Sequence, residues 1–120
     1  TAVAYIDATN GTWVSLSDKN YKRDIQTLQS VLPKMMQLNP VSYQMKDQVT
    51  VETTFGFLAQ ELQQVFPDAV KTFEKEGKLG ISYTHLIPLT VAAIQEQQKI
   101  IEKQQLQIDE LKKLVEKSLK

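Results

Sequence analysis

Apolar and polar positions follow two different periods along this chain, and the change between them divides it. Residues 1–16 alternate loosely, with Val3, Tyr5 and Trp13 apolar around an Asn10-Gly11 dipeptide, which predicts a tight turn joining two short strands. From Ile25 to Leu38 the apolar residues Ile25, Leu28, Val31, Leu32, Met35, Met36 and Leu38 recur at three- and four-residue steps. That spacing predicts a helix with one apolar face, begun afresh or kinked at Pro33 and stopped by Asn39-Pro40. Val41, Tyr43 and Met45 then alternate with Ser42, Gln44 and Lys46, as a half-buried strand does. Phe55 to Leu58 reads as a further strand, and Ala59 to Val65 as a short helix closed by Pro67. Phe55, Phe57, Leu58, Phe66 and Val70 are the expected core. Val70–Phe73 and Leu79–Tyr83 flank the charged run Glu74-Lys75-Glu76-Gly77-Lys78 and predict a hairpin, with Gly77 where a positive φ is needed.

Beyond Thr84, a plausible N-cap, the chain has one proline and no glycine, which suits one continuous helix of about 55 Å. Ile87, Ile94, Ile101, Ile108 and Val115 fall seven apart without a break. A sustained seven-residue period implies a left-handed supercoil with other helices. Three residues after each lie Thr90, Gln97, Gln104, Leu111 and Ser118, so the second core position is polar through the middle. Leu86, Ala93, Ile100 and Leu114 broaden the stripe, as expected of a helix that packs on its own globular part or on more than one neighbour. The alternative is an amphipathic helix folding back on its own core, which a core of this size is too short to cover. The expected architecture is α+β: a small globular part with short helices and a few antiparallel strands, then a long C-terminal helix forming a trimeric coiled coil.

Composition narrows the function. At 120 residues the chain holds one small domain, and its 14 basic and 14 acidic side chains cancel. No whole-molecule field draws it to nucleic acid or an anionic membrane, and no apolar run approaches the length of a bilayer span. With no cysteine and one histidine, thiolate chemistry and the usual zinc sites are excluded, and no metal or cofactor is expected. His85, beside the start of the long helix, reads as a partner for backbone groups. The opening Thr1-Ala2-Val3 reads as cut from a longer chain.

Several segments, taken together and in order, carry a resemblance. Ser17-Asp18-Lys19-Asn20-Tyr21-Lys22-Arg23-Asp24-Ile25 resembles the opening of the intramolecular chaperone (chaperone of endosialidase) domain at the C-terminal ends of phage tailspikes and tail fibres. The family pattern is Ser-Asp, an Arg two residues on, a Lys five after the Ser, then Asn-Ile. Ser17, Asp18, Lys22 and Ile25 match it, while Asn20 replaces the Arg and Asp24 the Asn. The resemblance continues through 38–43, through Gly56 to Val70, and through Ile81-Ser82-Tyr83-Thr84-His85-Leu86-Ile87-Pro88-Leu89. It implies three parts: residues 1–16 as the end of a preceding β-rich fibre region, 17–83 as a globular chaperone core, and 84–120 as the coiled-coil helix.

The resemblance also implies a mechanism. Family members trimerise a fibre, and many then cut themselves off just before the motif serine. Carried over by residue, Ser17 is the nucleophile, Lys22 its basic partner and Leu16-Ser17 the scissile bond, with Asp18 and Glu61 in support. The implied partners are two more copies of the chain and the fibre domain upstream in the same chain, on a phage virion made in the host cytoplasm or on a bacterial surface. Physically, the Ser17 hydroxyl can reach the preceding carbonyl through a five-membered ring and so gains from proximity. A lysine accepts the proton only where desolvation disfavours its ammonium form; otherwise it stays charged and stabilises the oxyanion. Asp18 near Lys22 would oppose the first role unless it caps the turn that follows. By residue type alone, Ser17 reads as an N-cap and Lys22 as a solvated surface residue. The second function class is therefore a trimerisation cap that never cleaves, and the third a coiled-coil adaptor whose helix dimerises.

Overall fold

A computed structural model describes residues 3–47 and 49–120; Thr1 and Ala2 of the expected N-terminal β-rich segment, and Gln48, lie outside them. The first hairpin pairs β1 (Ala4–Ile6) with β2 (Trp13–Ser15) in antiparallel register, Tyr5 opposite Val14. Its connection is a six-residue loop, Asp7 to Thr12, rather than the tight turn expected at Asn10-Gly11. Asp7 N–H donates to the Thr12 carbonyl at 2.7 Å, and the Asn10 carboxamide oxygen accepts from Thr12 N–H at 3.0 Å. Gly11, with φ of 72°, takes the left-handed position that closes the loop.

The helix expected over Ile25–Leu38 shrinks to a single turn, α1 (Leu32–Met35). Two non-glycine residues with positive φ, Asp24 at 53° and Ser30 at 56°, break the backbone on either side of Ile25–Gln29. Pro33 then sits in the first turn of α1, the one helical place its missing N–H costs nothing. The helical spacing of Ile25 and Leu28 is thus not used, and both are exposed, at 66% and 47%.

Strand β3 (Val41–Tyr43) pairs with β4 (Thr54–Gly56), Ser42 opposite Phe55. Val41 and Tyr43 are half-buried and Ser42 exposed, as their alternation demands, but Met45 lies past the strand and is exposed. The strand expected over Phe55–Leu58 begins and ends earlier; Phe55, opposite the exposed Ser42, points outward at 80% exposure, and Leu58 is exposed ahead of α2 (Ala59–Val65). A 3-10 turn, Pro67–Ala69, leads into β5 (Val70–Phe73), which pairs with β6 (Lys78–Ile81) across a turn holding Gly77 at φ of 65°.

The last element, α3 (Tyr83–Ser118), is one 36-residue helix. Its cap position is Ser82, with no side-chain cap bond, two residues earlier than the Thr84 cap the sequence suggests. Pro88 is tolerated in the second turn, where the Thr84 carbonyl it would have bonded is on an exposed residue. The core lies between α2, the β5–β6 hairpin and the first turns of α3: Leu62 is fully buried, with Ala69, Val70 and Leu86 around it and Phe57, Phe66 and Ile81 half-buried against them. Further along α3, Ala93 is buried, as is Val31 ahead of α1, and Glu96 Oε2 accepts from Val31 N–H at 2.9 Å, tying the start of α1 to the long helix. From Gln97 to Lys120 every residue is exposed. The radius of gyration, 21.4 Å, is far above the roughly 14 Å of a compact chain of this length, because the helix leaves the core and continues alone.

Candidate functional site at Ser17 and Lys22

Ser17 follows directly on the first hairpin. The Leu16 N–H donates to the Val3 carbonyl at 2.7 Å, which extends the β1–β2 ladder by one residue and holds the Leu16-Ser17 peptide at its end. Next, Asp18 caps a 3-10 turn over Lys19–Tyr21: its Oδ1 accepts from Asn20 N–H at 2.9 Å, and Tyr21 N–H returns to the Asp18 carbonyl. The turn closes when Lys22 N–H reaches the Lys19 carbonyl at 3.1 Å. A closed turn reverses the chain, and the reversal brings the Lys22 side chain back over Ser17.

The outcome is a direct contact: Lys22 Nζ donates to Ser17 Oγ at 2.7 Å. Both side chains are exposed, and Ser17 lines a shallow groove of about 330 Å³ together with Tyr5, Val14, Leu16 and Asp18. Asp18 spends its carboxylate on the cap, and no ion pair between it and Lys22 exists among the described residues. The short charge-assisted hydrogen bond has the ammonium as donor. The same geometry with an uncharged amine would let the hydroxyl donate instead, the polarity a nucleophile needs.

Glu61 lies elsewhere. It sits in the first turn of α2, where its charge suits the positive end of the helix, and among the described residues it shares no hydrogen bond or ion pair with Ser17 or Lys22. Asn20, which stands where the family pattern has Arg, contributes its backbone N–H to the Asp18 cap. Asp24 pairs only loosely with Arg23, at 3.9 Å with both side chains almost fully exposed. His85 Nδ1 lies 3.3 Å from the Asp68 carbonyl oxygen, a backbone partner that joins α3 to the 3-10 turn ahead of β5.

Tyr83, a residue the apolar pattern does not single out, anchors the start of α3 to Phe57 rather than touching Ser17 or Lys22. Its hydroxyl accepts from Phe57 N–H at 3.1 Å, and its ring stacks on Phe57 with centroids 6.4 Å apart. It also occupies the space a side chain at Gly56 would fill. The signal available in the sequence was the glycine of Phe55-Gly56-Phe57, since a glycine inside a strand often marks a close approach.

Five exposed apolar residues, Ile87, Ile94, Ile101, Ile108 and Val115, run down α3. No group of acidic or histidine side chains among the described residues could hold a metal ion, and no helix is long and apolar enough to cross a membrane.

No curated protein matches the chain. A family model described as chaperone of endosialidase matches residues 17–71, beginning at Ser17 and ending in β5. Over residues 17–71, the chain is thus similar to the chaperone-of-endosialidase family.

Proposed function

We propose that this chain is an intramolecular chaperone that assembles as a trimer through α3, helps the fibre region upstream of it to fold, and then cuts itself off at Leu16-Ser17. The family supports the chaperone role and the setting of a phage tail fibre. Threefold association raises the local concentration of three upstream segments and lowers the entropy cost of registering them.

The single observation carrying the cleavage reading is the 2.7 Å contact between Lys22 Nζ and Ser17 Oγ, at the residue where the family match begins. In the proposed step Ser17 Oγ attacks the Leu16 carbonyl carbon. The Oγ–C bond forms, the C–N bond to Ser17 breaks, and the hydroxyl proton passes by way of Lys22 to the departing α-amine. Water then hydrolyses the Leu16 ester and releases a chain that begins at Ser17. A hydrated ammonium is a poor base, so the pair needs drying, and a neighbouring copy laid over the exposed hairpin and the arm that follows would supply it. Cleavage would then report assembly.

The exposure of Ser17 and Lys22 on the single chain favours the second reading, a trimerisation cap that stays attached. The masses of the full chain and its Ser17→Ala variant, after assembly with an upstream fibre segment, decide between them. Autoproteolysis predicts a fragment starting at Ser17 from the parent and none from the variant. Two intact chains would leave the cap.

A further inference from the structure

We infer that Gln97 and Gln104 are the register-setting residues of the α3 assembly, recognising the same two residues of parallel copies of this chain. The inference rests on the trimer reading above and deepens it.

α3 carries six glutamines from Gln95 to Gln107, and two of them are engaged on their own helix. Gln98 Nε2 donates to Glu102 Oε1 at 3.3 Å, and Gln105 Nε2 donates to Asp109 Oδ1 at 3.0 Å, so each is occupied one turn along its own helix. Gln95, Gln97, Gln104 and Gln107 make no side-chain hydrogen bond among the described residues, and of these only Gln97 and Gln104 occupy the position three residues after Ile94 and Ile101, on the face the isoleucine stripe presents. An amide that association buries must find partners.

The stripe itself says what the partner is. The positions that flank a two-residue core seam are Ala93, Ile100, Gln107 and Leu114 on one side and Val91, Gln98, Gln105 and Lys112 on the other. Apart from Lys112 they are uncharged, while the remaining acidic and basic residues from Glu96 onward lie on the opposite side of the helix. A charged partner helix would find almost nothing to pair with, whereas a face uncharged across four of every seven positions suits several copies of itself.

In parallel and in register, each Gln97 meets Gln97 and each Gln104 meets Gln104, so donors and acceptors match around the axis. A slip by one heptad sets Gln104 against Leu111 and leaves its amide unpaired. An antiparallel copy that sets Gln97 against Gln104 has to run its C-terminal end along the first turns of α3, where Leu86 and Ala93 are already buried within the chain itself. With the flanks lacking a charge code, these two polar layers carry the discrimination.

The test uses full-length chains bearing Leu111→Cys or Ser118→Cys, mixed, reassembled and oxidised. These positions are about 10 Å apart along the helix, too far for a disulfide unless copies slip by a heptad. The expected result is disulfides only between like positions in the parent background. Adding Gln97→Ile and Gln104→Ile should raise the melting temperature and make mixed disulfides appear in comparable yield. A trimeric parent whose double variant still forms only like-with-like disulfides overturns this inference alone. A parent that sediments as a monomer overturns the trimer reading and this one with it.

Discussion

Lys22 Nζ stands 2.7 Å from Ser17 Oγ because a capped 3-10 turn, Lys19–Tyr21, folds the chain back between them. In the proposed step Lys22 takes the proton of Ser17, and Lys22→Arg separates that role from simple charge. Arginine keeps the cation but does not deprotonate. Lys22→Arg should slow appearance of the Ser17 fragment by about a hundred- to ten-thousand-fold, measured by mass spectrometry over time. Cutting at the parental rate would assign Lys22 charge stabilisation only.

Asp18 holds that turn through Asn20 N–H. Asp18→Ala removes the cap and should loosen the reversal that presents Lys22, slowing cleavage while Asp18→Ser or Asp18→Asn, which can still cap, retains most of it. The comparison of the three rates is the measurement. Equal slowing by all of them would mean that the carboxylate acts by charge.

Gly56 and Tyr83 share one space. Gly56→Ala forces the Tyr83 hydroxyl out of its bond with Phe57 N–H and should cost about 1–3 kcal/mol of stability in thermal unfolding. Tyr83→Phe, which removes the hydroxyl and keeps the stacked ring, should cost only about 0.5–1.5 kcal/mol. In the Tyr83→Phe background the Gly56→Ala penalty should shrink, and an unchanged penalty would place the clash elsewhere.

Glu96 joins α1 to α3 through Val31 N–H, beside the buried pair Val31 and Ala93. Glu96→Ala should destabilise by about 0.5–2 kcal/mol, the usual worth of a lost capping acceptor, and speed amide exchange over Val31–Met35 before any change around Leu62. Uniform loss of protection through the core would show that α1 is not separately anchored.

The long helix was legible in the sequence because an uninterrupted period of seven needs no tertiary context, and α2 and the β5–β6 hairpin were bracketed by Pro67 and Gly77. The segment around Ile25 was not. Its apolar spacing is helical, but Asp24 and Ser30 take left-handed backbone angles that no apolar pattern announces, and propensity gives way there. Phe55 misled for a related reason: which face a strand residue takes is set by its pairing, and opposite the exposed Ser42 it points outward. At the site, the five-residue offset of Ser17 and Lys22 was readable, while the cap that creates their contact was only one of two roles open to Asp18. Tyr83 stayed hidden because its partner, Phe57, lies 26 residues away.

The exposed stripe from Ile101 to Val115 has no cover among the described residues, and chaperoning, register and drying of Lys22 all depend on association of copies along it. Sedimentation equilibrium of the intact chain tests it most directly. The account predicts a single species of three times the 13.7 kDa chain mass, and a monomer or a dimer would contradict it.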